Sequence, residues 1–138
     1  MATASAVDKS VSSYQDIALL VGRILIAALF LIVFYNSVRN IPGTAGYLGS
    51  LGMPSPGAMV YLKVAIELIG GICILVGWQT RSAALGLGVF VVVATLFAHL
   101  NFADGNQLNH FLKNLAVIGG LLAVYVTGPG AYSVEGKS

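Results

Sequence analysis

Residues 57–78 read GAMVYLKVAIELIGGICILVGW, and the fold turns on what this stretch can be. At 1.5 Å of rise per residue it is long enough, as a helix, to cross the roughly 30 Å of hydrocarbon in a bilayer. It is rich in Val and Ile, which favour strands in water. Its apolar residues do not alternate with polar ones, however, and a barrel strand needs only about 9–11 alternating residues. A buried helix of a soluble protein rarely runs so far with only Lys63 and Glu67 as charged residues. The stretch therefore reads as a transmembrane helix.

Working outward, three more stretches have the same character. They are residues 17–38 (IALLVGRILIAALFLIVFYNSV), 82–100 (SAALGLGVFVVVATLFAHL) and 111–127 (FLKNLAVIGGLLAVYVT). Between them lie turn-forming residues. The longest connection, 39–56, holds Pro42, Gly43, Gly46, Gly49, Gly52, Pro54 and Pro56 and reads as turn chemistry, with Pro56 placed to begin a helix. The connection 79–81 is so short that the second and third spans must be antiparallel neighbours, with Gly77 as a C-terminal cap. Asp104-Gly105-Asn106 marks another turn, and Pro129 stops the last helix. Residues 1–16 are polar and rich in Ala and Ser, and read as a flexible tail that can end in a short interfacial helix, with Asp16 able to cap or begin the first span. A secretory signal is the rival reading of the N-terminus. It is set aside because the leading region is long and not positive, and because three more spans follow. The expected fold is all-α, an integral membrane antiparallel four-helix bundle, with residues 17–138 as its single domain.

Composition agrees. Of 138 residues 57% are hydrophobic and 9% charged, where a soluble domain carries about 25% charged residues. Mean hydropathy is +0.88. Seven Lys and Arg against five Asp and Glu leave a net charge of +2. These charges are scattered, so nucleic acid is excluded as a partner class and the lipid bilayer is the expected surroundings. A lone cysteine, Cys73, excludes an internal disulfide and a cysteine-built redox or zinc centre. Four spans place both termini on one face. Lys9, Arg81 and Lys137 lie there against Arg39 opposite, so the termini read as cytoplasmic. Counting Arg23, Lys63 and Lys113 narrows that bias.

The rare polar residues inside the spans are the functional candidates, since each costs about 2.5–3.5 kcal/mol on insertion scales. Arg23 lies about 9 Å below the termini face and Glu67 about 15 Å from either face, a height difference of roughly 6 Å that two long side chains can bridge. The two are expected to pair or to share one polar network. Lys63, four residues before Glu67, is the alternative partner. Asn36, Lys63, His99, Lys113 and Asn114 all fall near the opposite face and could line one pocket. The competing structural readings are a buried Arg23–Glu67 pair that fixes helix register, and lysines that only snorkel. Small residues four apart, such as Ala84 and Gly88, and the pairs Gly70-Gly71 and Gly119-Gly120, read as packing surfaces. Trp78 reads as an interfacial anchor. Haem is disfavoured, because His110 falls outside the span and no CxxCH motif exists. Only Asp104 adds a carboxylate near the histidines, so no metal site is expected.

Taken in order, these residues resemble the DoxX family of small four-helix membrane proteins, over about residues 17–135. The likeness rests on Arg23, on GMPSP at 52–56, and on ELIGGICILVGWQTR at 67–81. It continues through HLNFADG at 99–105, FLKNLAVIGG at 111–120 and GPGAYSVE at 128–135. The resemblance implies a bacterial or archaeal inner-membrane protein associated with redox assemblies. The matching positions Arg23, Glu67, Arg81, Lys113 and Asn114 come without an agreed catalytic role. Since the chain supplies no redox centre, two functions follow as expectations. One is a membrane subunit or assembly factor of a redox-linked, quinone-associated complex, with a protein partner or a homo-oligomer, and not catalytic alone. The other is a binding site for quinone or a small anion lined by Arg23, Lys63, Glu67, His99, Lys113 and Asn114. A small transporter is a third reading, and it would need oligomers.

Overall fold

In the computed structural model the chain forms α1 (Ala2–Val38), α2 (Ile41–Ser50), α3 (Pro56–Val76), α4 (Thr80–Ala98) and α5 (Gly105–Thr127), then a short 3-10 turn, Glu135–Lys137. The structure describes residues 2–98, 100–101 and 103–137, with no strand among them. Among the described residues four segments are long and apolar enough to cross a membrane: Ser13–Val38, Pro56–Val76, Thr80–Ala98 and Gly105–Thr127. The fold is an all-α, four-span membrane bundle.

Its surface is apolar where a soluble protein would be polar. Val126, Leu25 and Ile69 are 73%, 66% and 62% exposed. Contiguous exposed apolar surface of this extent is untenable in water and natural in lipid. The packed interior is slim: Ala27 and Phe30 of α1, Ile74 of α3, Ala84, Leu87 and Val91 of α4, Leu121 and Val124 of α5. α3 is the central helix, with α1 on one flank and α4 on the other; α5 packs on α4 and closes only lightly against α1. Adjacent glycines allow this. A Cβ on Gly70 would stand 2.6 Å from the Leu87 side chain of α4, and one on Gly71 would stand 2.9 Å from Leu31 of α1. Without hydrophobic drive inside lipid, such close approach is what joins helices.

Three boundaries differ from the sequence reading. α1 extends back to Ala2 through the segment expected to be a flexible tail. Ala, Lys and Gln there are good helix formers, and the span already supplies the nucleus. The connection 39–56, expected to be turns, contains α2. Its Gly-rich sequence is started by Asn40, whose side chain accepts from Gly43 N–H, with a proline in the first turn, and by Thr44 Oγ1 donating to Ser37 O and Asn40 O. α5 begins at Gly105, not near 111, because Asp104 caps it by accepting from Asn106 N–H at 2.9 Å. The expected punctuation does appear: Pro56 opens α3, and Gly77 closes it with φ +74°, in the left-handed region that glycine favours.

Candidate functional site

The intramembrane polar residues fall into two separate systems at opposite ends of the bundle. At the termini end Arg23 is 1% exposed. Its Nη1 donates to Ile74 O at 3.1 Å and Leu75 O at 3.0 Å, and its Nη2 donates to Tyr132 O at 2.5 Å. Those α3 carbonyls belong to the last turn of the helix, where no intrahelical donor follows and the macrodipole is negative. The rest of that turn is satisfied too. Cys73 O accepts from Gly77 and Trp78 N–H, Val76 O from Val134 N–H, and Gly77 O from Glu135 N–H. The Glu135 carboxylate turns back to accept from Thr80 N–H and Thr80 Oγ1, both at 2.8 Å, capping the start of α4. These two bonds hold the Glu135 carboxyl below its ordinary range. Arg81 Nε donates to Tyr125 O at 3.1 Å, near the end of α5. Asp16, expected to begin the first span, instead accepts from Ala131 N–H. The tail Gly128–Glu135 is thus a strap across three helix ends.

The expected Arg23–Glu67 pair does not form. The physical reason is height. Arg23 lies level with the end of α3 and finds carbonyls that need donors, whereas Glu67 lies seven residues earlier, roughly 10 Å up the helix axis.

Glu67 belongs to the other system. It is 1% exposed, and its Oε1 accepts from Lys63 Nζ at 2.5 Å, the i,i+4 pair of one helix face. Lys63 Nζ also donates to Ser37 Oγ of α1 at 2.7 Å. Among the described residues Glu67 Oε2 has no hydrogen-bond partner. Glu67 borders a cavity of about 140 Å³, shared with Lys63, Lys113, Asn114, Phe30 and Phe90. Asn114 Nδ2 donates to Thr95 Oγ1 at 2.9 Å, and Thr95 Oγ1 donates to Val91 O, so the α4–α5 wall is fixed. Beneath α2 lies a second, wider space of about 520 Å³, lined by Asn36, Ser37, Asn40, Thr44 and Tyr47, and Lys63 borders both.

Of the sequence candidates, the structure therefore brings Lys63, Glu67, Lys113 and Asn114 to one cavity and places Asn36 in the space next door. Arg23 is a helix cap and leaves the site. His99 lies outside the described residues. No cluster of three metal-ligating side chains occurs among the described residues. Sequence reasoning missed Ser37, a lone hydroxyl at the end of the first span whose partner is fixed only by the α1–α3 packing. It also missed Glu135, for which a signal existed: α4 starts at Thr80 with no acidic or Asn cap of its own, and an acid waits in the tail.

Chemically, the cavity offers one open carboxylate oxygen, lysine ammonium groups at its edge and apolar, partly aromatic walls. Cavities of roughly 150 Å³ hold a benzene ring. The unpartnered Glu67 oxygen suits a hydrogen-bond donor on the ligand, and Lys63 and Lys113 suit an acceptor.

Comparison with known proteins gives the following. The DoxX family model matches residues 18–100, more than half of the chain. The Escherichia coli (strain K12) protein named "Inner membrane protein YqjF" is 38% identical over 121 residues, covering 88% of this chain and 92% of its own. "Inner membrane protein YphA" of the same organism is 30% identical over 127 residues, covering 88% and 90%. A Bacillus subtilis (strain 168) protein named "Putative oxidoreductase CatD" is 29% identical over 85 residues, 62% of each chain. No solved structure matches.

Proposed function

The chain belongs to the DoxX family, and from that premise we propose that it is an inner-membrane subunit of a redox-linked assembly whose own part is to hold a quinone-class headgroup beside Glu67. The observation that carries this reading is a buried carboxylate with one oxygen unpartnered on a ring-sized cavity. The residues fit such a group. Glu67 Oε2 would accept from a ring hydroxyl, Lys113 would donate to a ring oxygen, and Phe30 and Phe90 would flank the ring. When bound, the group would supply two-electron carrier chemistry, with the electrons coming from a partner. The names of YqjF and YphA support the inner membrane, and the name of CatD supports redox association. The charge bias supports cytoplasmic termini.

The Lys63–Glu67 pair argues for binding over architecture. A buried ion pair is costly, and it is accepted structurally where it joins elements. This pair lies within one helix; Lys63 reaches α1 through Ser37, but the Glu67 carboxylate itself joins no second element. Solvent extraction of the protein purified in mild detergent, followed by chromatography, tests the proposal. Quinone should co-purify, and Glu67→Gln should reduce its content at least tenfold while the protein stays folded. Absence of quinone from the wild type, or equal content in Glu67→Gln, refutes it.

A further inference from the structure

We infer that the space beneath α2 is an aqueous vestibule through which Glu67 exchanges its proton with one face of the membrane only, with Lys63 as the relay between them. The inference uses the reading of Glu67 as the group that meets the ligand, but not the identity of that ligand.

Three observations converge. First, the vestibule of about 520 Å³ is lined by side chains that hold water, Asn36, Ser37, Asn40 and Thr44, and it lies at the α2 end of the bundle. Second, Val33 and Lys63 border both this space and the inner cavity of about 140 Å³. They form the wall between the two, and Lys63 is the polar part of it. Third, accessibility falls sharply across that wall. The Lys63 side chain is 20% exposed and the Glu67 side chain 1%. One nitrogen, Lys63 Nζ, touches Ser37 Oγ on the wet side at 2.7 Å and Glu67 Oε1 on the dry side at 2.5 Å. Lys113 of α5 is the other charged group on the inner cavity.

These contacts form a continuous relay. An N–H bond of the Lys63 ammonium breaks as an O–H bond forms on Glu67 Oε1. The amine then regains a proton from vestibule water next to Ser37. The net change is one proton moved from the vestibule to Glu67, with no electrons transferred. Among the described residues nothing equivalent leads to the termini face. Between Glu67 and that face, α3 is packed by Ile74, Leu87, Phe30 and Leu121, all buried, and closed by the Arg23 cap. A carrier that takes up or releases protons at Glu67 would therefore do so toward the α2 face.

Two measurements test this. In a Cys73→Ala background, Ser37→Cys is treated with a membrane-impermeant methanethiosulfonate in sealed vesicles of both orientations. Arg39→Cys marks the α2 face and Ser82→Cys the termini face. Ser37→Cys should react only in the orientation that labels Arg39→Cys. No reaction from either side, or reaction from the Ser82 side, overturns the inference. Separately, at a pH low enough for Glu67 to carry its proton, its carboxyl infrared band, assigned by its loss in Glu67→Gln, is followed after transfer to heavy water. Lys63→Met should slow its exchange at least tenfold, and an unchanged rate overturns the relay. If no quinone co-purifies while both results hold, the ligand assignment fails and the route stands. If quinone binds but Ser37→Cys is unlabelled, the route alone fails.

Discussion

Replacing Arg23 with methionine tests which of two polar systems this residue serves. The substitution keeps most of the buried volume and removes three hydrogen bonds, to Ile74 O, Leu75 O and Tyr132 O. Hydrogen bonds from a charged donor contribute about 1.5–3 kcal/mol each, but polar contacts in membrane proteins average nearer 0.6 kcal/mol. Three bonds between those limits bracket the loss at roughly 2–9 kcal/mol. The lower part of the range is favoured, because the site lies close to the interface and water can reach freed carbonyls. We expect about 2–4 kcal/mol. Glu67→Gln should cost less, since the amide still accepts from Lys63. The decisive quantity is their coupling. The two side chains share no partner, and their anchor points on α3 are roughly 10 Å apart, so the double variant should be additive within about 0.5 kcal/mol. Reversible unfolding in mixed micelles, followed by the fluorescence of the single tryptophan, Trp78, next to the Arg23 cap, measures all three variants. A coupling above about 1 kcal/mol would mean that Arg23 and Glu67 do interact and would refute the separation.

The strap gives a pH prediction. Thr80 N–H and hydroxyl hold the Glu135 carboxyl below its ordinary range, so its stabilisation is fully present above about pH 4.5 and is lost as pH falls through the lowered folded value. Thermal melts from pH 6 downward should show an acid-side loss that Glu135→Gln abolishes; an identical acid slope in the variant would sever that link. Overpacking should follow the glycine contacts. Gly70→Val, aimed at Leu87, should destabilise by about 1–3 kcal/mol. Gly119→Val meets nothing within 4 Å and should not destabilise, since valine is the better helix former of the two, as detergent melts will show.

How far the sequence could be read followed from what each signal depends on. The four spans were legible because bilayer thickness sets a length that 57–78 and its counterparts meet in one dimension, with no need for tertiary contacts. Gly77 and Pro56 were legible because they act on their own backbone. Gly70-Gly71 was legible as packing, though only the structure assigns one glycine to α4 and its neighbour to α1. Arg23 was misread because height was estimated as if side chains were the sole partners available. The carbonyls at the end of α3 carry no mark in the sequence, yet they outcompete a carboxylate two turns away. α2 was missed because its glycines argue for turns, while Asn40 and Thr44 act through bonds visible only once the helix exists.

Placement of charge separates architecture from function in this bundle. A buried guanidinium at a helix end is compensated at both Nη atoms by main-chain carbonyls that the bundle must satisfy anyway, with only Nε left without a partner among the described residues, and Arg23 borders neither the inner cavity nor the vestibule. Removing it should therefore disturb stability first. A buried carboxylate in mid-helix has no such compensation. The main chain around Glu67 is already paired within α3, so the charge depends on Lys63 alone, and one oxygen is left facing space instead of protein. Phe30, Phe90 and Val117 line that space without filling it, and so forgo packing contacts that a larger side chain there would make. A larger residue at Ala94, one turn from Phe90 on α4, would occupy part of it. Ala94→Leu should accordingly leave the fold intact while displacing the ligand, lowering co-purified quinone as far as Glu67→Gln does. A variant that keeps its quinone in full would show that the ring does not sit in the cavity, whatever its affinity for the membrane around it.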